Sequence, residues 1–528
     1  MNRSLDARRV LVAMVGLGLF ALAARGVTDP DLWWHLRTGQ LILGNHAVFH
    51  ADPYSFTRLG QPWVNHEWLS DVFIFALYRV FGWGGLIVAF SAITAAAFLL
   101  VFLRCPGRPS IAAVATIWAG VASIPLWGVR PQTLSLLLIS VFLLILDSSL
   151  KDDSRQKDGP SRQDGSRNKD AAGGDLSAKR PNFLWWIPPL VLLWVNLHAG
   201  YAAGIGLVGL FLVGHALDSA FGFEPWVRAG PRIRRLASVF GVSLALIPLN
   251  PNGSKMFWYP WATLRSPAMQ RHIAEWFSPD FHQPQYWAAL AMILASLLAV
   301  ALSPRRVLPR ELLLLFTTMY MGLHSIRHLA IYVLVAAPIL GGLADAWVGN
   351  SGAFDRHDPP GRSEVAPAPG KMKIRIWLNA ILLAALLAFA LARVHFVVGR
   401  QAETEAARFP EAAVAFLSTH RPPGPQLNYY DWGGYLIWKL YPGVPVYIDG
   451  RADLYGDAFM DSFAQTYDLT NHWEAPLEAW QIRTVMVPPS APLATALGCR
   501  AGWRQIYSDP QAVILTESIS TFGQATRK

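Results

Sequence analysis

Cysteine and charge are what this chain has least of. Two cysteines stand in 528 residues, Cys105 and Cys499, and neither has a CxxC neighbour. That excludes a disulfide framework and a cysteine-held metal as organising devices. Charged types make up 15% of the chain against 53% apolar types, too little charge for an ordinary soluble protein of this length. Apolar runs long enough to cross a bilayer fill the space instead. The formal charge of +10 sits largely in short loops between those runs. It therefore reads as orientation in a membrane, and nucleic acid is not an expected partner. No internal repeat of roughly 20–50 residues is visible.

About eleven spans can be drawn, each near the ~20 residues that a bilayer core requires. They lie near 9–25, 84–103, 110–128, 131–149, 183–198, 202–221, 235–249, 286–303, 309–325, 328–347 and 374–396. The first follows Arg3, Arg8 and Arg9 and ends in "ALAARG". It reads either as an uncleaved span or as a signal peptide with a cleavage site. With the N-terminus cytoplasmic, the basic stretches "RCPGRP", 150–182, "VRAGPRIRR", "SPRRVLPR" and "GKMKIR" all fall inside, as the positive-inside rule demands.

The expected architecture is a polytopic α-helical membrane protein with a C-terminal extracytoplasmic α/β domain. The transmembrane core covers 1–397, with outer loops at 26–83 and 250–285, and the soluble domain covers 398–528. Polar, low-complexity 150–182 reads as a disordered cytoplasmic linker, and 350–370 reads the same way. In the soluble part, "VPVYIDG", "IRTVMVP", "WRQIYSD" and "QAVILTE" predict strands, and "PEAAVAFLSTH" and "SAPLATALGC" predict helices.

Charge near a membrane span is expensive, so its exceptions are informative. Asp29, Asp31, His35 and Arg37 follow the first span, and His66, Glu67 and Asp71 precede the second. Asn196 and His198 end the fifth. Arg271, His272, Glu275 and Asp280 lie in the 250–285 loop, and Arg327 and His328 open the tenth span. The count puts all of them on the outer side, where an active site between helices would assemble. Each also has a plainer reading. Trp33, Trp34, Trp63, Trp258 and Trp261 suit an interfacial aromatic belt. Asn196 and His198 could bond a helix end, and Arg327 could anchor on lipid phosphate. Glu67 could cap an amphipathic interfacial helix, and Asp29 or Asp31 in "DPD" could cap the next helix.

"DLWWHLR" (Asp31, Trp33, Trp34, His35, Arg37) resembles the first-loop motif of oligosaccharyltransferase catalytic subunits. "NYYDWGGYLIWKL" is similar to their WWDYG segment, with Asp431 and Gly433 identical and Tyr429, Tyr430 and Trp432 at the other positions. Bacterial type-C glycosyltransferase-like proteins with "WGGYLIW" and "DGRADLYG" patterns are similar too. The wider group, the type-C glycosyltransferases, includes protein O-mannosyltransferases, whose span number this chain approaches. The gap "WGVRPQ" after the third span holds no second DxD motif. In oligosaccharyltransferases that motif helps to hold a divalent metal. The altered WWDYG implies no Asn-X-Ser/Thr recognition.

The resemblance implies glycosyl transfer from a polyprenyl-phosphate-linked sugar by inverting displacement. Asp31 would be the base, with Asp29 the second choice. Arg327, His328 and Arg271 would meet the leaving phosphate, with Lys255 weaker. Candidate substrate contacts are Trp33, Trp34, His35, Arg37, Glu67, Asn196, His198, Trp258 and Glu275, and in the soluble domain Tyr430, Asp431, Trp432, Asp449, Arg451 and Asp453. For the last group a Gly-turn closed by an internal Arg–Asp pair is the structural alternative. Asp31, Glu67 and Glu275 are candidate ligands if a divalent cation is used; Asp280 is a further carboxylate, and the cofactor stays open. The expected partners are the lipid-linked sugar, membrane lipid and an unidentified glycan, lipid or protein acceptor at a bacterial cytoplasmic (inner) membrane. Two other readings remain: a transporter or flippase for a lipid-linked or anionic substrate, using His215, Asp218 and His324, or a non-catalytic envelope scaffold.

Overall fold

The structure, a computed structural model, describes residues 7–155, 183–350 and 369–518. The first part is helical: α1 (Ala7–Ala23), α2 (Leu32–Asn45), α3 (Trp68–Arg104), α4 (Pro109–Ser123), α5 (Pro131–Arg155), α6 (Ile187–Leu197), α7 (Tyr201–Ala220), α8 (Trp226–Leu246), α9 (Lys255–Arg265), α10 (Pro267–His272), α11 (Trp287–Ala301), α12 (Pro309–His324), α13 (Leu329–Asn350) and α14 (Pro369–Gly399). Prolines open α4, α5 and α12, where a missing N–H costs nothing. Among the described residues seven helical segments are long and apolar enough to cross a membrane, so this is a multi-pass membrane protein. A helix also lies on each of the other four expected spans. Those are α1, α6, α8 and α12, which are shorter or, in α8, arginine-rich. Helix α5 runs to Arg155, into the expected linker; the rest of that linker and 351–368 lie outside the described residues.

Helix α3 is interrupted at Gly82, whose φ of 58° is open to glycine and strained for other residues. The arm before it, 68–81, packs against α2. Contact is closest at Gly39, where an added Cβ would overlap the Asp71 carbonyl. The main core lies further along the bundle, with Phe98, Phe142, Trp194 and Val335 buried at its centre.

The C-terminal part carries a four-stranded sheet in the order β1 (Gln426–Asn428), β2 (Thr484–Val487), β4 (Val513–Glu517), β3 (Trp503–Ser508). β1 runs parallel to β2, with Leu427 opposite Val485, and the other pairings are antiparallel. The surrounding helices are α15 (Gln401–Arg408), α16 (Glu411–His420), α17 (Gly433–Leu440), α18 (Ala452–Tyr455), α19 (Asp457–Tyr467), α20 (Ala475–Ala479) and α21 (Pro492–Gly498). Three of the four expected strands form. "VPVYIDG" does not, and "QLN" takes its place. The Asn428 side chain explains the exchange. Its Oδ1 accepts from Tyr447 N–H (2.8 Å), and its Nδ2 donates to Ile448 C=O (2.8 Å), in place of a ladder.

The first loop is sewn into this domain. Phe56 N–H donates to Val446 C=O (3.1 Å), Thr57 Oγ1 to Tyr447 C=O (2.6 Å) and Arg58 Nη2 to Tyr455 C=O (2.6 Å). Trp33, Phe409 and Tyr435 share one buried aromatic cluster across the junction.

Candidate active site

The junction encloses a cavity of about 1670 Å³. Asp31 sits on its wall at the start of α2. Asp29 Oδ1 accepts the Asp31 N–H (2.9 Å), and neither carboxylate caps the helix in the usual way. The Asp31 side chain is thereby left to face Trp34, whose Nε1–H donates to Oδ1 (3.2 Å). Gly450 closes over it from the C-terminal domain, and an added Cβ there would overlap Asp31 Oδ1. Its place deep in the cavity, out of bulk water, together with nearby Asp29, pushes the Asp31 carboxyl up to about 8.

Behind Asp31 lies a polar block. His35 Nδ1 bonds Asp71 Oδ1 (2.6 Å), and its Nε2 lies 3.6 Å from Glu67. Glu67 also faces His66 (3.2 Å) and His198 (3.4 Å). Burial opposes the charge on Glu67, but His66, His198 and His35 hold its carboxyl well below the usual range. Burial likewise opposes protonation of His35, yet Asp71 and Glu67 raise it. His198 is held differently. Its Nδ1 accepts from Gly200 N–H (3.0 Å), so a neutral ring presents Nε2–H to Glu67.

Across the cavity Arg130, from the short turn before α5, pairs with Asp29 (3.2 Å) and with Glu275. Arg327 lies 3.9 Å from the other Glu275 oxygen and stacks over Trp276. From the C-terminal domain Tyr430, Asp431, Arg451 and Asp453 complete the wall. The first loop, the turn before α5, the end of α6, the 250–285 loop, the start of α13 and the C-terminal domain therefore meet in one space.

Of the residues read from sequence, Asp29, Asp31, Trp34, His35, Glu67, His198, Glu275, Arg327, His328, Tyr430, Asp431, Arg451 and Asp453 line the cavity. Seven others do not. Trp33 is buried against Trp83, Phe409 and Tyr435. Arg37 turns the other way and donates to Trp438 C=O. Asn196 accepts from Trp68 Nε1–H (2.8 Å), away from the site. Trp258 is 72% exposed on the outside of α9. Arg271 pairs with Asp461 (2.7 Å) at the surface. Trp432 packs on Tyr429. Asp449 is buried and spent on Arg451 (2.7 Å) and the Tyr455 hydroxyl (2.7 Å). The structural alternative holds for that last residue. Lys255 and Asp280 also lie off the wall, and His215 and Asp218 pair with Arg310 elsewhere. Sequence reasoning missed Arg130 and Arg408, and it placed Tyr429 in a motif without assigning it to the site. Arg130 had a signal, a lone cation in a six-residue gap facing the site. Among the described residues no group of three His, Cys, Asp or Glu side chains is spaced to hold a metal ion.

Sequence comparison finds no matching family model and no matching curated relative. Comparison of structures is informative. An oligosaccharyltransferase from Archaeoglobus fulgidus, tethered to an acceptor peptide containing an NVT sequon, superposes with a TM-score of 0.54 at 12% identity, covering 97% of this chain and 74% of that one. AglB from the same organism, in complex with an inhibitory peptide and a dolichol-phosphate, gives 0.52 at 13% identity over 90% and 69%. The fold is that of the type-C glycosyltransferases. ArnT from Cupriavidus metallidurans, bound to undecaprenyl phosphate, aligns more loosely, with 0.47 at 13% identity over 96% and 97%. At such identities the type-C likeness concerns architecture alone, and activity must be argued from the site.

Proposed function

We propose that the protein is a membrane glycosyltransferase that moves a sugar from a polyprenyl-phosphate-linked donor to an envelope acceptor. The reaction takes place at the outer face of the cytoplasmic membrane, with the N-terminus inside, eleven spans, and residues 398–528 outside. One observation carries this reading. A single cavity joins the Asp31 carboxylate, the cations Arg130 and Arg327, and an apolar extension through Ile139, Leu207, Leu210, Met321 and Ile331. A base, a phosphate counter-charge and a greasy path are the three things a lipid-linked sugar needs. The dolichol-phosphate held by AglB supports that choice of donor.

In the proposed step an acceptor oxygen attacks the anomeric carbon as the bond from that carbon to the phosphate oxygen breaks. The proton passes to Asp31, and the bonding electron pair leaves on the phosphate, with inversion at the sugar. Arg327 and Arg130 meet the charge that builds on the leaving group. The C-terminal wall, through Tyr430, Asp431 and Asp453, is assigned to the acceptor.

Two expectations test this. Asp31 must be ionised to accept a proton, and its carboxyl is raised to about 8. Turnover of purified protein in lipid therefore falls as pH drops through that value and levels off above it. A kcat/KM profile flat over about two units around this point contradicts the base assignment. Second, Gly206 lines the apolar extension with open space where a side chain would go. Gly206→Phe is expected to raise KM for the lipid-linked donor about tenfold, with kcat little changed. An unaltered KM removes the lipid from that path.

A further inference from the structure

The resemblance to oligosaccharyltransferases implies metal-holding acidic residues in the gap before α5. Here the same gap supplies Arg130. Its Nε lies 3.2 Å from Asp29 Oδ2 and bonds Gln132 (3.2 Å), and its Nη2 bonds Glu275. Its Nη1 has no hydrogen-bond partner among the described residues, and the side chain lines the cavity. Arg327 stands on the far side of Glu275.

A divalent ion does not fit this donor set. It would have to strip Asp29 and Glu275 from Arg130 and then sit between two guanidinium groups, where like charges repel. An anion does fit. Two carboxylates fix the plane of one guanidinium and leave one edge of it free, beside a second guanidinium, Arg327, that lies 3.9 Å from Glu275 and over Trp276. Such a fork matches two phosphate oxygens.

We propose that Arg130 takes the part of the divalent cation: Asp29 and Glu275 hold it in place, its Nη1 and Arg327 receive the donor phosphate, and transfer needs no added metal. This rests on the reading of the cavity as a lipid-phosphate site. Glu275 is then a positioning residue shared by the two arginines. Asp29 has the same part toward Arg130, which separates its role from that of Asp31.

The probe is undecaprenyl phosphate, titrated against purified full-length protein in detergent with EDTA or with Mn²⁺ and monitored by thermophoresis. Mn²⁺ binding is followed separately by electron paramagnetic resonance. The expected result is the same affinity in EDTA and in Mn²⁺, with no site-bound Mn²⁺ in the wild type. Arg130→Ala should weaken lipid-phosphate binding about ten- to a hundredfold. Arg130→Lys, which keeps the charge but loses the fork, should fall between them and also serves as the folded control. Binding that is lost in EDTA, or stoichiometric Mn²⁺ in the wild type, overturns the proposal and leaves the lipid-phosphate reading standing. Absence of binding under every condition overturns both.

Discussion

Asp31→Asn is expected to lower kcat for glycosyl transfer by about a hundred- to ten-thousandfold while leaving the protein folded. The substitution keeps the shape of the side chain and one acceptor for the Trp34 Nε1–H, so the helix start and the contact with Gly450 survive. What is lost is the ability to take a proton. Asp29→Asn tests the division of labour between the two carboxylates. Its Oδ1 holds the Asp31 N–H and its Oδ2 faces Arg130, so the loss should be smaller and should appear in donor binding as well as turnover. The check is steady-state kinetics of both variants in lipid, with circular dichroism for folding. Equal activity of folded Asp31→Asn and wild type would remove Asp31 from the chemistry.

Arg451→Ala is expected to destabilise the junction by about 3–5 kcal/mol. Arg451 is buried, with both Asp449 (2.7 Å) and Asp52 of the first loop (2.8 Å) as partners. Its guanidinium also lies over Tyr54 and Trp63. Alanine would leave two carboxylates buried without a counter-charge, and such a remnant costs more than the intact pair gives. The first loop should then loosen from the C-terminal domain. Limited proteolysis and hydrogen exchange across 46–66 report this directly, beside a drop in melting temperature. Arg451→Ala together with Asp449→Asn should recover part of the loss. Unchanged protection in the single variant would mean that the ion pair does not hold the two parts together.

Much of the fold could be read in the sequence because apolar length and loop charge are one-dimensional signals. Helices lie where the eleven runs were drawn, and the sheet came out apart from β1, where a side chain, Asn428, replaces backbone pairing. The site was legible in outline for a related reason: polar residues beside membrane spans have few structural uses. The finer sorting on α2 was legible in principle. Asp31, Trp34 and His35 are three and four residues apart and share a face, while Trp33 and Arg37 share another. That second face meets Tyr435 and Trp438. Aromatic and charged character alone does not separate the two faces, so Trp33 and Arg37 were drawn in with the rest. Arg130 was visible as a lone cation, but its part in the site was not legible. Its partners lie 101 and 145 residues away, at Asp29 and Glu275, and only tertiary structure joins them. For Asp449 the sequence left two readings open, because a buried structural ion pair and a binding loop use the same residue types.

The most direct test of the account follows both products of one reaction. Wild-type protein in lipid vesicles is given a panel of polyprenyl-phosphate-linked sugars and an envelope extract as acceptor source. Free polyprenyl phosphate and sugar bound to acceptor are then counted together. The account predicts equal amounts of the two, formed at the same rate and absent with Asp31→Asn. If folded wild type consumes none of a broad panel, while Asp31→Asn restores whatever defect deletion of the protein causes, catalysis at Asp31 is wrong, and the cavity serves transport or docking instead.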